Sequence, residues 1–301
     1  MNQSTSNLTQ GMIPGVVSAL GWSTTGIFVK LLPDFSAWFL VSARSAVALI
    51  ATIIFVALVS NFSLNYILRQ WTNWWLASLM IVYYVTAVAA YQLTSVAEVA
   101  LLLNTSPVFA LLIRVYRGGT VKILEWVGAA VAIGGLLLIV LPDILTVGEY
   151  GFARLFGCVL ALTSSYCITV YATQLEAFRS KGVQLSNSGI TLLTYILGAT
   201  MLFVVSLIVD TVHPFDLDFT GSNILLIVGL GLISTVIPSV AYGMAMSHIS
   251  AVQLTTLRLT IPVSATLLAF WILDEIPNHW VIPGGVLVIT GIIIMLKRKK
   301  G

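Results

Sequence analysis

Ala90-Tyr91-Gln92-Leu93-Thr94-Ser95-Val96-Ala97-Glu98 opens an apolar run that passes Leu101-Leu102 and reaches Ser106-Pro107-Val108. The same order of features returns in Ala245-Met246-Ser247-His248-Ile249-Ser250-Ala251-Val252-Gln253, which passes Thr256-Leu257 and reaches Ile261-Pro262-Val263. Each copy places a proline inside a helix-length apolar segment. Proline removes an intrahelical hydrogen bond, so each copy predicts a broken helix. In a membrane such breaks are tolerated only against protein or a water-filled cavity, and paired breaks mark the interface between repeats.

Composition places the pattern in lipid. The chain is 58% hydrophobic and 8% charged, against roughly 25% charged in a soluble domain. That much apolar surface cannot be hidden inside one water-soluble globule of 301 residues. Runs of about 20 apolar residues, the length that crosses a bilayer, are read at 11–31, 37–59, 74–92, 96–116, 121–141, 152–174, 187–209, 222–247, 250–272 and 280–297. Period-two alternation is missing, so helices are expected rather than a barrel. The first run is too long for the core of a cleavable signal and is expected to remain as helix one.

The resulting expectation is an all-α integral membrane protein of ten transmembrane helices. Five helices per half (1–146 and 147–301) make the repeats odd-numbered, and consecutive odd-numbered repeats insert in opposite orientations. Charge sets the direction. With the N-terminus in the cytoplasm, Arg69, Arg114, Arg117, Lys122, Arg179, Lys181, Lys297, Arg298, Lys299 and Lys300 fall inside, and only Lys30 and Arg154 outside. This positive-inside pattern makes both termini cytoplasmic. The remaining cations, Arg44 and Arg258, lie within helices.

Other chemistries find little support. Cys158 and Cys167 share a predicted helix about 13 Å apart, too far for a disulfide. The three histidines adjoin no cysteine or carboxylate at metal-ligand spacing, and Gly118-Gly119-Thr120 lacks the spacing and lysine of a P-loop. No cofactor, metal or nucleic-acid partner is expected.

The halves echo each other beyond the prolines. Gly15-Val16-Val17-Ser18-Ala19-Leu20 parallels Gly157-Cys158-Val159-Leu160-Ala161-Leu162, and Trp126, Gly128 and Gly135 parallel Trp280, Gly284 and Gly291. With Trp22, Phe39-Leu40-Val41-Ser42-Ala43-Arg44, Pro107, Glu125-Trp126-Val127-Gly128, Ser250-Ala251, Pro262 and Asp274-Glu275, the chain resembles the EamA-type branch of the drug/metabolite transporter superfamily. The likeness covers nearly all of 11–300. It departs after helix four, where the family often has an acid and this chain has Arg117-Gly118-Gly119. The resemblance implies a secondary carrier of small metabolites, commonly an exporter, working by alternating access. Amino acids are the leading class. Nucleotide-sugar or other organic-anion antiport is the alternative, and a passive channel is less consistent with duplicated broken helices. A bacterial inner membrane is the expected location. The expected partners are the bilayer, a small-molecule substrate and a proton or counter-substrate, with the chain a monomer or homodimer.

Candidate site residues follow from polarity in the wrong place. Asn104, Ser106 and Pro107 on helix four and Thr260 and Pro262 on helix nine could offer hydroxyls and freed carbonyls to a polar solute, or could bond neighbouring helices. Arg258 lies inside a span, where a charge costs about 3 kcal/mol. Its forked donors suit a substrate carboxylate or phosphate, or an internal pair with Glu98. Glu98 is also a candidate proton-coupling group, or a solvated residue near the outer interface. Arg44 matches the family's helix-two arginine. Trp22, Tyr83, Tyr84, Tyr166 and Tyr242 interrupt apolar runs, and their polar tips need partners when buried. Trp71, Trp74 and Trp75 read as interfacial anchors.

Overall fold

The computed structural model describes residues 2–59, 68–145, 149–210, 219–249 and 251–296. Lys297, Arg298, Lys299, Lys300 and the expected repeat boundary at 146/147 lie outside the described residues.

In chain order the helices are α1 (Asn2–Ser23), α2 (Thr25–Lys30), α3 (Ala37–Val59), α4 (Trp71–Leu93), α5 (Val96–Leu103), α6 (Ser106–Tyr116), α7 (Ile123–Leu145) and α8 (Glu149–Ser180). They continue with α9 (Asn187–Val209), α10 (Gly221–Gly231), a π-helical turn (Leu232–Val236), α11 (Ile237–Met246), α12 (Ala251–Arg258), α13 (Thr260–Leu273) and α14 (Val281–Leu296). No strand occurs among the described residues. Nine spans of these residues are long and apolar enough to cross a bilayer, and α14 is a shorter apolar helix. The protein is an integral membrane protein.

Proline and hydroxyl side chains decide where the spans break. Ahead of Pro107 the fourth span interrupts at Asn104–Thr105, and ahead of Pro262 the ninth interrupts at Leu259. Two further interruptions go beyond the sequence reading. The first span breaks at Thr24, whose hydroxyl donates to Gly21 O at 2.7 Å. The eighth widens into the π turn just before Pro238, where Ser234 and Thr235 both donate to Leu230 O, at 2.6 and 2.9 Å. By contrast α8 runs unbroken from Glu149 to Ser180, past both expected limits of its span, 152–174.

Packing is between distant parts of the chain. The most extensive contacts join α7 to α14, α4 to α8, α3 to α9 and α1 to α11. Phe35, Leu40, Val88, Leu102 and Leu230 are buried in the shared core. Ile53, Leu137, Met201, Trp271 and Ile282 are exposed and form part of the apolar surface a lipid solvent requires. The α7–α14 seam is the tightest, because glycines seven residues apart on each helix let the backbones meet. A Cβ on Gly128 would lie 2.6 Å from Gly291 O, and one on Gly135 2.5 Å from Gly284 O. Van der Waals approach of this kind, rather than hydrophobic expulsion, holds helices together in lipid.

Candidate functional site

The candidate residues separate into three clusters. The first gathers on α1, α11 and α12. The Arg258 guanidinium stands over the Trp22 ring at 5.4 Å, and the Trp22 and Tyr242 rings are 5.3 Å apart. Arg258 ends α12 where the ninth span breaks, and Thr260, next to the break, turns its hydroxyl onto Leu257 O at 2.7 Å. Arg258 Nε is buried and has no hydrogen-bond partner among the described residues.

The second cluster joins α3, α4 and the π turn. Arg44 is buried at 4% exposure. Its Nε and Nη2 donate to Thr235 Oγ1 at 3.1 and 2.8 Å, and its guanidinium lies 4.7 Å from the centre of the Tyr84 ring. The Tyr83 ring packs 5.2 Å from that of Tyr84. The π turn is what presents Thr235: its hydroxyl bonds back five residues to Leu230 O and accepts from the arginine. Tyr171 on α8 lies within electrostatic range of Tyr84 in one cluster and of Tyr242 in the other.

The third cluster is the break of the fourth span. Pro107 frees the carbonyl four residues earlier, Leu103 O, and Ser165 of α8 donates to it at 3.1 Å. Thr105 donates to Ser165 Oγ at 3.1 Å, and Thr169 reaches Ser106 O at 3.3 Å. Asn104 turns onto Ala100 O. Tyr166 is 48% exposed and packs its ring against Phe109. Here the freed backbone is taken up by the neighbouring helix. The two breaks alike in sequence therefore differ in chemistry: one is stitched to α8, the other carries a cation against an indole.

Glu98 is fully buried and does not meet Arg258. It caps α5 with Ser95, whose Oγ accepts from Glu98 N at 3.2 Å in a capping box. Thr94 donates to its Oε2, and Arg154 Nη2 donates to its Oε1 at 2.5 Å. Gly11 and Gly15 of α1 face Ile249 and Leu257.

Glu275 makes a tie between distant parts of the chain at the same end of α5. Asp274 adopts a left-handed φ of 52°, which carries Glu275 past the end of α13. Its Oε1 then accepts from Val96 N, the first amide of α5, at 2.7 Å. Burial holds the Glu275 carboxyl above the ordinary glutamate range; the Val96 amide and Lys30 oppose the rise and Glu98 adds to it. A raised folded-state value means folding favours the protonated form. Stability from this group is present below the unfolded value and is lost as pH rises through the folded one. Thermal unfolding in detergent should thus show wild-type stability falling across that window, and Glu275→Gln flattening the fall while keeping the amide bond. An unchanged slope in the variant would refute this account.

Sequence reasoning missed Tyr171, Ser234, Thr235, Arg154 as the partner of the buried Glu98, and the cap role of Glu98. Signals existed for two of these. Ser234-Thr235 stands three residues before Pro238, the rule already applied at Pro107, and Ser95-Val96-Ala97-Glu98 has capping-box spacing.

A helical membrane bundle with interrupted spans and cations inside the spans facing aromatic rings is the architecture of a transport protein. The chain belongs to the EamA-like transporter family, whose model matches residues 9–141 and again 155–297. The proteins of this family are described as transporters. It is 27% identical over 209 residues to a protein of Streptantibioticus cattleyicolor named "Probable terminal-alkyne amino-acid exporter", covering 67% of this chain and 64% of that protein. It is 29% identical over 209 residues to an "Uncharacterized transporter" of Archaeoglobus fulgidus, covering 69% of each. The chain thus spans about two thirds of these relatives' lengths. A solved crystal structure superposes with a TM-score of 0.63 over 95% of this chain and 96% of its own, at 18% identity, and shows the fold alone.

Proposed function

We propose that the protein is a secondary active exporter of small metabolites, with amino acids and related amphipathic compounds the leading class. Two inverted five-helix units, 1–146 and 147–301, rock about a central site and expose it alternately to each side. Ten helices with both termini cytoplasmic, in a bacterial inner membrane, complete the proposal. The doubled family match and the packing order support the two units, since α4 on α8 mirrors α11 on α1. The relative named as an amino-acid exporter supports the substrate class.

Arg258 carries the reading. A guanidinium inside a span, held by an aromatic face and with Nε unpartnered among the described residues, is suited to a carboxylate that arrives and leaves. Arg44 adds a second cation inside the spans, this one buried, which favours one alternative, an organic-anion antiporter. A proton or a counter-substrate drives the cycle; coupling through Glu98 would require its Arg154 pair to open. Counterflow in liposomes against labelled amino acids and organic anions, with and without a pH gradient, tests this. Saturable exchange of one class is expected. Unsaturable leak from vesicles containing folded protein would refute the carrier.

A further inference from the structure

The charges inside the spans do not balance. Of the chain's 11 acidic residues, three fall within the candidate membrane spans, all close to span ends: Glu98, Glu125 and Glu176. Glu98 is paired with Arg154, and Glu125 with Arg114. The cations Arg44 and Arg258 form no ion pair among the described residues. Arg44 is held by a hydroxyl and a tyrosine face, Arg258 by an indole face alone.

Their depths differ as well. Arg44 lies two turns into α3, and Arg258 closes the two-turn helix α12. Each is about 10 Å from its helix start at 1.5 Å per residue. In the ten-helix arrangement proposed above the second and ninth spans run in opposite directions, which puts the two guanidiniums on opposite sides of the midplane. Trp22 and Tyr242 pack beside Arg258, and Tyr83 and Tyr84 beside Arg44. Each guanidinium is thus set against aromatic rings, and the buried carboxylate Glu98 is taken by Arg154.

From this we infer that the carboxylate of the substrate is what the site reads, and that an α-ammonium is dispensable. The Trp22 and Tyr84 faces already hold guanidiniums, so an ammonium would meet like charge there, while a carboxylate gains charge-assisted bonds to either arginine. The substrate class is thus amphipathic carboxylates with an apolar body, of which amino acids are one kind. This deepens the carrier reading and rests on it, and it excludes amines and cationic amino acids as good substrates.

Three probes share one isobutyl body: leucine, isocaproate (leucine without its amino group) and isoamylamine (leucine without its carboxylate). Each is added at about 10 mM to the purified wild-type protein in detergent, where a ligand of about millimolar Kd raises thermal stability measurably. Isocaproate and leucine are expected to raise the melting temperature alike, and isoamylamine not at all. The same order is expected when the three compete for exchange in liposomes. Stabilisation by isoamylamine, stabilisation by leucine without isocaproate, or no shift with either carboxylate overturns the inference. Because the melting test needs no transport, failed exchange with the expected binding order would sink the carrier cycle and leave carboxylate selection standing. Exchange inhibited by isoamylamine would do the reverse.

Discussion

Arg258→Ala is expected to cut substrate exchange about 30-fold or more and to leave the bundle about as stable as the wild type. Removing one partner of a buried charged pair costs about 2–5 kcal/mol, and each 1.4 kcal/mol is tenfold. The expected loss is therefore about 30-fold or more in saturable uptake. The stability side has the opposite sign. In the unliganded protein Arg258 forms no ion pair among the described residues and gains mainly the Trp22 face, worth about 0.5–2 kcal/mol. A charge inside a span costs about 2.5–3.5 kcal/mol on insertion scales, so its removal relieves as much as it loses. Counterflow on reconstituted protein and thermal unfolding of the same preparation check both halves. Wild-type exchange would remove Arg258 from the site. Loss of exchange together with a collapse in stability would make it a structural residue instead.

Gly291→Leu should separate α7 from α14, whereas Gly134→Leu should be silent. A Cβ on Gly291 would lie 2.5 Å from both Ala132 N and Gly128 O. Those are backbone atoms, which no rotamer change can move, so a whole helix must shift. Overpacking of this kind costs about 1–3 kcal/mol even where side chains can yield, and the upper end is expected here. At Gly134, one residue from the Gly135 contact, an added Cβ meets nothing within 4 Å, and an effect within about 0.5 kcal/mol is expected. Equal melting temperatures for the two variants would mean that the seam is not held by close glycine packing. The comparison also tests the repeat echo, because Gly128 and Gly135 on one helix meet Gly291 and Gly284 on the other.

Those glycines show how far a linear reading goes. Their spacing and the accompanying tryptophans are visible in sequence; that the two sets face each other across one seam is not. The prolines behave similarly. A missing amide hydrogen is a local property, so the breaks near Pro107 and Pro262 were legible. What fills each gap depends on the helix alongside: Ser165 supplies a hydroxyl to Leu103 O, while Trp22 supplies a ring to Arg258.

Glu98 marks the same limit from the other side. Its burial could be suspected from sequence, but its Arg154 partner stands in what read as an outer flank, and only the packing of α8 against α5 brings the two together. Thr235 accepts from Arg44 because a π turn rotates it there.

Composition, run length and proline position by themselves determined that this chain lives in a bilayer as helices and where two of its spans are cut. Solvent preference and backbone valence act residue by residue, so a one-dimensional string carries them. The tertiary structure alone decided which cation is hydrogen-bonded, which is set against an indole, and which break is sealed. Those outcomes depend on distances between atoms far apart in the chain, and small differences in hydrogen-bonding partners settle them after the helices have already formed.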